Sequence, residues 1–445
     1  MRISVVGTGY VGLVSGLCLA EVGHEVTCVD VDAAKVERIR KGEPPIHEEG
    51  LPALLGAHVG RRFTATQDLE AAVRATDVTF IAVGTPFDGR VIDLSFVKQV
   101  AREIGAALAR KGAWHAVVVK STVVPGTTDS VVAPILEQAS GRKAGVGFGV
   151  GMNPEFLTEG QAIRDFLEPD RLVLGALDAR TAEVLEEVYA PFAGVPRIRT
   201  NTRTAEMIKY ASNAMLANAI SFSNEIGNLC TALGGIDVVD VMEGVHASTY
   251  LTVSSADGTR RRAPLAAFYL AGCGFGGSCL PKDVKALAAH GQAAGVAMPV
   301  LEAVLEVNQR QPGQVVGLLR KRLGDLQGRR IAVLGLAFKP DTDDVRESPA
   351  FPVVRLLRES GASVKVHDPV AMTEARKVLG DAVAWADGLE EAIRDVDAVV
   401  LVTRWKQFEA VPDLVRAQPR PPLLVDGRRQ LSPASVPAYE GIGRG

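Results

Sequence analysis

The pattern of apolar and polar residues at the start of the chain predicts a strand, a glycine turn and a helix. Residues 3–20 contain no charged side chain, as do many signal peptides and membrane-spanning helices. Glycines interrupt this run every few positions. A buried strand over residues 2–6 and a helix over residues 13–22 therefore account for it better. No other stretch is a candidate membrane span.

Further short apolar runs predict more buried strands in the first 150 residues. They occupy residues 25–30, 77–83, 116–119 and 147–151. Strands that alternate with helices are typical of a parallel sheet, in which ligands lie beyond the carboxyl ends of the strands. We therefore look for functional side chains just after these runs.

Residues 204–233 contain no proline and a single glycine, which predicts one long helix. Thr202 or Thr204 offers an N-cap, and two glycines follow the helix. Many of its residues are small, which suits close packing against another helix, including one from a second subunit. Lys209 and Asn213 share a face of it. A lysine here is also compatible with an ordinary surface residue.

The strand-then-glycine pattern returns at residues 329–335 and starts an internal repeat. Residues 361–368 and 389–397 match residues 23–30 and 69–77 in the same order. The loop after the first strand of this second unit lacks the glycine motif, so it should bind something other than a dinucleotide. Positive charge for a phosphate or diphosphate would come from Lys339, Arg346, Arg428 and Arg429. A purely structural second unit is the alternative.

These patterns predict an α/β protein with two Rossmann-like, doubly wound domains. A long central helix and a small helical middle domain join them. We expect the first α/β domain over residues 1–200, the central helical domain over 201–310, and the second α/β domain over 311–445.

Composition narrows the class of partner. The chain has 445 residues, a net charge of −3 and a pI near 6.2. It has no overall attraction for nucleic acid or an anionic membrane. Its five cysteines are scattered and include no Cys-x-x-Cys pair. We therefore predict no disulfide framework, no metal site and a cytoplasmic location.

The glycine turn after the first strand predicts a dinucleotide site. Gly7, Gly9 and Gly12 follow the strand, and Asp30 stands eighteen residues after the last of them. The glycines let a pyrophosphate approach the helix N-terminus. Asp30 would accept hydrogen bonds from the ribose hydroxyls and repel a 2′-phosphate, so NAD is favoured over NADP.

Other polar residues follow the later strands. Thr85 and Thr122 lie at strand ends, where they would face the cofactor or simply cap the strands. Glu155 and Glu159, four residues apart after the strand at 147–151, could share a face over the same cleft. A solvated pair of carboxylates is the alternative.

A second glycine-rich loop, residues 272–277, precedes Cys279. Residues 283–290 read as helix after Pro281. A thiol ahead of a helix N-terminus, with Lys282 nearby, is placed where a thiolate is favoured. Taken alone, the loop is better explained as a glycine turn with a small buried cysteine.

Together these segments resemble the nucleotide-sugar 6-dehydrogenases, most closely the UDP-glucose 6-dehydrogenases. The resemblance rests on residues 7–12, 83–86, 121–126, 153–157, 163–166, 169–171, 206–210, 276–283, 338–339 and 344–348. It implies that residues 1–200 form an NAD-binding Rossmann domain and residues 311–445 a Rossmann-like nucleotide-sugar-binding domain. The long helix of the central domain, residues 201–310, would join them and form a homodimer interface. It also implies a four-electron oxidation of a sugar C6 hydroxyl to a carboxylate with two NAD molecules in turn, with UDP-glucose favoured as the substrate.

The resemblance also implies roles for individual residues. Cys279 would form a thiohemiacetal and then a thioester, with Lys209 as the first base and Asn213 with Lys209 stabilising the oxyanion. Glu155 would be the base for hydrolysis, with Asp283 and Thr122 positioning water. Implied cofactor contacts are Gly7, Gly9, Tyr10, Val11, Gly12, Asp30, Lys35, Gly84, Thr85, Pro86, Ser121, Thr122, Glu159, Cys279, Lys282 and Arg346. Implied substrate contacts are Glu155, Phe156, Leu157, Glu159, Lys209, Asn213, Phe268, Tyr269, Phe275, Gly276, Gly277, Cys279, Phe338, Lys339 and Arg428.

Two departures from the family pattern concern the sugar. The family's Arg-Ile-Gly segment, whose arginine reaches the neighbouring subunit's sugar nucleotide, is replaced by Arg260, Arg261 and Arg262 in a predicted loop. Cys273 also stands at a position of the glycine loop where the family often has proline or phenylalanine. Three functions stay open: UDP-glucose oxidation; the same chemistry on another sugar nucleotide, such as GDP-mannose or a UDP-N-acetylhexosamine; and a catalytically idle NAD- and nucleotide-binding protein.

Overall fold

The computed structural model describes residues 1–254 and 259–445 of the chain. The chain forms two compact units, Met1–Ser212 and Asn213–Gly445. Of the helices within the described residues, none combines the length and apolar character that a bilayer crossing requires.

The first unit is built on an eight-stranded sheet. Its strands are β1 (Arg2–Val6), β2 (Glu25–Val29), β3 (Phe63–Thr66), β4 (Val78–Ile81), β5 (Ala116–Val119), β6 (Gly149–Met152), β7 (Leu172–Ala176) and β8 (Arg197–Thr200). They lie in the order β3-β2-β1-β4-β5-β6-β7-β8, and every neighbouring pair is parallel except β6 and β7. This strand order places the glycine turn at the centre of the carboxyl edge, as the pattern predicted.

Helices cover both faces of this sheet. They are α1 (Tyr10–Glu21), α2 (Ala33–Arg40), α3 (Leu51–His58), α4 (Leu69–Ala75), α5 (Ser95–Ala109), α6 (Ala133–Ser140, after a π-turn at Thr128–Val132), α7 (Ala162–Leu167) and α8 (Ala179–Val188). Alternate strand residues enter separate cores, with Phe80 on one face and Ile81 on the other. Burial on both faces explains why these strands are continuous apolar runs.

The long helix α9 (Thr202–Leu233) confirms the prediction from composition. The predicted N-cap is wrong, however, because Thr202 is already helical. Asn201 precedes the helix, and its Oδ1 accepts a hydrogen bond from the Thr204 amide at 2.8 Å. The helix stops where predicted, at Gly234 and Gly235, which both have positive φ angles. The boundary between the two compact units falls inside α9.

The second unit repeats the same architecture. Its elements are α10 (Val238–His246), β9 (Thr252–Ser254), β10 (Arg260–Arg262), α11 (Leu280–Ala293), α12 (Pro299–Leu323), β11 (Arg330–Leu334), α13 (Ala350–Glu359), β12 (Ser363–His367), α14 (Met372–Leu379), β13 (Ala384–Trp385), α15 (Leu389–Ile393), β14 (Ala398–Leu401), α16 (Val411–Arg416), β15 (Leu423–Asp426) and β16 (Tyr439–Gly441). A parallel sheet has the order β13-β12-β11-β14-β15-β16. It matches the first six positions of the other sheet, so the predicted repeat and the two doubly wound domains are confirmed.

The prediction of a loop around the three arginines is wrong. Strands β9 and β10 pair antiparallel, with Arg261 opposite Val253. All three arginines are exposed, so no alternation of buried and exposed residues marked the strand in the sequence. The rest of the predicted loop, residues 255–258, lies outside the described residues.

Candidate active site

The turn between β1 and α1 is shaped by its glycines. Gly7 has a φ of +102°, and a Cβ there would lie 2.6 Å from the Ala82 carbonyl oxygen. A Cβ on Gly12 would collide with the Gly7 carbonyl oxygen. At Gly9, by contrast, a Cβ would meet no heavy atom within 4 Å. The turn therefore packs tightly against the sheet while the N-terminus of α1 opens to space that a pyrophosphate can enter.

Asp30 holds this turn in place. Its Oδ2 accepts hydrogen bonds from the Thr8 amide at 2.8 Å and the Thr8 hydroxyl at 2.6 Å, and its Oδ1 accepts one from the Asp32 amide at 3.0 Å. Burial works against ionisation, but these hydrogen bonds hold the pKa of Asp30 below its usual value. Asp30 therefore fixes the glycine turn, in addition to the contact with the ribose that the sequence predicts for it. Lys35 lies close enough for its charge to lower the same pKa.

Asp368 does the same in the second unit. It follows β12 as Asp30 follows β2, and its Oδ2 accepts from the Leu336 and Ala337 amides at 2.7 and 3.0 Å. The loop that it fixes is the one that precedes Phe338 and Lys339.

An acid that the pattern did not predict organises the other side of the cofactor turn. Glu48 is buried and hydrogen-bonds to the Tyr10 hydroxyl. It also accepts from the Gly160 and Ala162 amides, each at 2.7 Å. The contact with Glu48 and burial together raise the pKa of Tyr10. Glu48 thereby ties the first turn of α1 to the segment that carries Glu159, which is half-buried.

Of the hydroxyl groups that follow β4 and β5, two hydrogen-bond to backbone carbonyls at the strand ends and one does not. Thr85 donates to the Thr122 carbonyl at 2.8 Å, and Ser121 donates to the Val83 carbonyl at 2.7 Å. Both therefore act as strand-end caps, which was the alternative interpretation for Thr85. The Thr122 hydroxyl is half-buried and hydrogen-bonds to none of the residues that the structure describes. Gly84 and Pro86 follow β4, and a Cβ on Gly84 would meet open space.

Glu155 and Lys209 form a buried ion pair. Their charged atoms are 2.9 Å apart, and the two side chains are 6% and 4% exposed. Glu155 also accepts a hydrogen bond from the Leu157 amide at 2.6 Å, and Lys209 lies over the Phe156 ring. Burial alone would raise the pKa of Glu155, but the Lys209 ammonium and the amide hold it below its usual value. The structure thus excludes a solvated Glu155 and a surface Lys209.

In the second unit, side chains from distant elements clamp the glycine loop. Asn224 accepts from the Gly272 amide at 2.7 Å, and Gln311 donates to the Gly272 carbonyl at 2.8 Å. Asn308 accepts from the Phe275 amide at 2.7 Å and donates to its carbonyl at 3.0 Å. Nothing in the sequence pattern predicted these three residues. They fix the backbone that leads to Cys279.

Cys279 is the exposed member of five free cysteines. It lies directly before the first residue of α11, which begins three residues earlier than predicted. Asp283, 1% exposed, lies one turn later. Its Oδ2 accepts from the Asn213 amide group at 2.6 Å, and its Oδ1 lies 2.5 Å from the Lys282 ammonium. Cys273, in contrast, is fully buried, and burial raises the pKa of its thiol.

A cavity of about 260 Å³ opens beside this loop within the second unit. It is mostly apolar at its walls, with cationic groups at one side. Six predicted substrate residues line it, namely Phe268, Phe275, Gly276, Phe338, Lys339 and Arg428. Ile220, Thr403 and Arg404 also line it and were not predicted. Tyr269 instead packs edge-on against Phe222.

The cationic groups of this unit are partly committed to the protein. Arg428 donates to the Val402 and Gly274 carbonyls at 2.5 and 2.7 Å. Arg346 pairs with Asp344. Arg429 makes two hydrogen bonds to Asp237, at 2.8 and 2.7 Å, and its side chain is 6% exposed. The prediction that Arg429 offers charge to a phosphate is wrong, because the half-buried carboxylate of Asp237 already neutralises it.

The chain matches three domains of one protein family. Residues 1–193 match the NAD binding domain, residues 203–310 the central domain, and residues 332–433 the UDP binding domain of the UDP-glucose/GDP-mannose dehydrogenase family. The UDP-glucose 6-dehydrogenase AglM of Haloferax volcanii is 42% identical over 99% of this chain and 100% of its own length. A GDP-mannose 6-dehydrogenase of Pseudomonas aeruginosa is 42% identical over 83% of this chain and 81% of its own.

A solved structure agrees with these relatives. The UDP-glucose dehydrogenase of Pyrobaculum islandicum superposes with a TM-score of 0.90 at 44% identity. The match covers 100% of this chain and 98% of that one.

Proposed function

Because the chain belongs to the UDP-glucose/GDP-mannose dehydrogenase family, we propose that it is an NAD-dependent dehydrogenase that oxidises the C6 hydroxyl of UDP-glucose to a carboxylate. The observation that carries the proposal is the placement of Cys279, exposed at the start of α11 and one turn from the buried Asp283. The choice of UDP-glucose rests on AglM and the Pyrobaculum islandicum enzyme, each of which matches this chain over nearly its whole length.

The reaction consumes one water and two NAD molecules and releases two NADH and three protons for each sugar. NAD supplies the hydride acceptor when it is bound at the N-terminus of α1, where the glycine turn leaves room for it. Asp30 would meet the adenosine ribose. A 2′-phosphate there would face the carboxylate, so we expect NADP to be a poor substitute.

The Glu155–Lys209 pair is proposed to handle protons in the first unit. Because Lys209 is an ammonium in the ion pair, it must first pass a proton to Glu155, which is 2.9 Å from its nitrogen. The neutral Lys209 amine, directly or through water, would then accept the C6 hydroxyl proton during the first oxidation, and Glu155 would release the proton that it received. Glu155, with Thr122, would later activate the water that hydrolyses the thioester.

Covalent chemistry is proposed for the second unit. The Cys279 sulfur would add to the aldehyde carbon, forming a C–S bond and a thiohemiacetal, which the second oxidation converts to a thioester. Water then breaks the C–S bond and restores the thiol. Asp283 lies one helical turn after Cys279 in α11, and Asn213 of α9 donates a hydrogen bond to it at 2.6 Å. These two side chains would orient the reacting oxygen or water.

The cavity of the second unit suits a nucleotide. Phe275 and Phe338 offer apolar surface to a base, and Lys339 and Arg428 stand at the same cavity to meet a diphosphate. The three exposed arginines of β10 are available for an anionic ligand of a neighbouring subunit, and the structure gives no reason to choose among them.

The first test is a panel of sugar nucleotides read at the NADH absorbance. With UDP-glucose and NAD, we expect two NADH for each sugar consumed. GDP-mannose, a UDP-N-acetylhexosamine and NADP serve as comparisons, and each should support far lower rates. Turnover of GDP-mannose without turnover of UDP-glucose would contradict the sugar assignment. Stabilisation by nucleotides without NADH from any sugar would favour an idle binding protein.

We also propose that the chain forms a homodimer in which α9 packs against α9 of a second copy. Met207, Met215, Phe222 and Leu229 are 43–53% exposed and recur at intervals of seven or eight residues along one side of the helix. Such spacing is typical of a helix that pairs with another helix. Light scattering should give twice the chain mass of 47.1 kDa, and Phe222→Lys should lower it. A mass of one chain at micromolar concentration would contradict the proposal.

Two further predictions remain proposals. The predicted division at residue 200 lies next to the start of α9, whereas residue 310 falls inside α12. Limited proteolysis that cut only elsewhere would contradict the division. The cytoplasmic location rests on the cysteine pattern, and cell fractionation tests it.

A further inference from the structure

Lys120 is a buried cation that the mechanism above does not use. It directly follows β5, and the whole residue is 3% exposed. Its ammonium donates to Asn153 Oδ1 at 2.8 Å and lies between the rings of Phe80 and Phe166, 5.9 and 5.7 Å from their centroids. Burying an ammonium without a directly paired carboxylate is costly, on the order of several kcal/mol. Retaining it calls for a reason.

Asn153 links this cation to the loop that carries Glu155. It directly follows β6, and its Oδ1 also accepts from the Tyr189 hydroxyl at 2.5 Å. Its amide nitrogen donates to the Val173 carbonyl at 3.0 Å. The side chain is thus fixed by residues at β5 and β7, the two strands that neighbour β6, and at the end of α8. Glu155 follows two residues later, after a proline.

Lys120 therefore joins two loops that both carry proposed catalytic residues. Thr122 lies two residues after Lys120, and Glu155 lies two residues after Asn153. The hydrogen bond between Lys120 and Asn153 spans the carboxyl ends of β5 and β6, which are neighbouring parallel strands. Loss of this bond would let the two loops shift independently.

Lys120 also contributes charge. Burial lowers the pKa of Lys120 to about 8, the Glu155 carboxylate raises it, and the Lys209 ammonium lowers it again. Among the causes that hold the pKa of Glu155 down, after Lys209 and the Leu157 amide, is the charge of Lys120. Among the described residues, two ammoniums therefore lower the pKa of Glu155: that of Lys209, which contacts the carboxylate directly, and that of Lys120, which acts from farther away.

We propose that Lys120 is a positioning residue for the oxidation: through Asn153 it keeps the loops of Thr122 and Glu155 in register, and it adds a second positive charge to that of Lys209 near Glu155. This inference rests on the proposed function, since it assigns a supporting residue to the same reaction.

A second buried lysine shows what a purely structural role looks like. Lys111 is 7% exposed. Its ammonium donates to the Val73 and Thr76 carbonyls at the end of α4 and contacts His115. A cation at a helix C-terminus stabilises that helix. Lys111 has no link to the loops of Thr122 or Glu155 among its hydrogen bonds, and it is the matched control.

The test compares Lys120→Met, Lys111→Met and the wild type with whichever sugar nucleotide the wild type oxidises. For Lys120→Met we expect kcat to fall at least about tenfold while the KM for NAD changes little. The acid limb of its pH–rate profile should move to higher pH, because the pKa of Glu155 rises when a nearby positive charge is removed. Lys111→Met should lower Tm and keep the wild-type pH profile.

A substitution of Asn153, the hydrogen-bond acceptor of Lys120, separates the effect of loop position from the effect of the Lys120 charge. Asn153→Ser keeps Lys120 but removes its acceptor, so kcat should fall without the shift of the acid limb. A folded Lys120→Met with the wild-type profile would overturn the inference, as would equal shifts in both lysine variants. If Lys120→Met does not fold, a wild-type kcat in Asn153→Ser would overturn it. Absence of wild-type turnover with every sugar nucleotide would instead overturn the proposed function.

Discussion

Cys279→Ser should reduce production of the sugar acid by roughly three orders of magnitude or more, the scale seen when an enzyme loses its nucleophile. A serine hydroxyl is a much weaker nucleophile than a cysteine thiolate at neutral pH, because it stays protonated unless a neighbouring base activates it. The first oxidation does not require the sulfur. The variant should therefore still form some aldehyde and at most one NADH for each sugar.

Quantifying acid and NADH separately tests this directly. Acid is measured by chromatography of the nucleotide sugars, and NADH by absorbance. Cys230→Ala is the control, because this cysteine is buried in α9 and is not part of the site. It should keep the ratio of two NADH to one acid. Acid formation by Cys279→Ser at the wild-type rate would remove the covalent mechanism and leave the dehydrogenase assignment intact.

Gly276→Ala should reduce kcat by about a hundredfold, because a displacement of about 1 Å near reacting groups has that effect. A Cβ at Gly276 would lie 2.3 Å from the Glu347 carbonyl oxygen and 3.1 Å from the Ser348 Cα. Both atoms are backbone, and the next amide, that of Gly277, is held by the Arg346 carbonyl at 2.9 Å. The loop must therefore move, and Cys279 with it. Overpacking of this kind also lowers the free energy of unfolding by about 1–3 kcal/mol.

Gly317→Ala is the matched control for this substitution. Gly317 lies in α12, in the same compact unit, and a Cβ there would meet no heavy atom within 4 Å. Alanine is the better helix former, so this variant should be more stable by up to about 1 kcal/mol and fully active. The free energies come from urea unfolding, and kcat from initial rates of NADH formation. Wild-type kcat in Gly276→Ala would mean that the glycine loop does not set the position of Cys279.

The fold was predictable because its signals are local. The central parallel strands of both sheets are short, mostly apolar runs followed by a turn, and the two sheets share strand order because the same pattern occurs twice. Short strands that are exposed on both sides lack such a signal. Arg260 to Arg262 pair as a strand although no residue among them is buried.

The site was predictable only in part, since its partners are chosen by packing. Cys279 and Asp283 are one turn apart on a helix, so their proximity follows from spacing. Asn224 and Asn308, however, reach the glycine loop from 48 and 33 residues away. The burial of Glu155 likewise depends on Lys209, which comes from another element. The sequence around Glu155 does not indicate that its charge is neutralised.

The paired acids Asp30 and Asp368 bear on how such sequences are interpreted. Each binds backbone amides or a hydroxyl of the loop after the first strand of its own unit, yet only the first of these loops contains the three glycines. An acid at the end of the second strand is therefore a mark of the scaffold, which a domain can retain after its glycine turn has gone. A motif search that took this acid alone as evidence of a dinucleotide site would wrongly assign such a site to the second unit as well. The glycines are the better guide to the ligand.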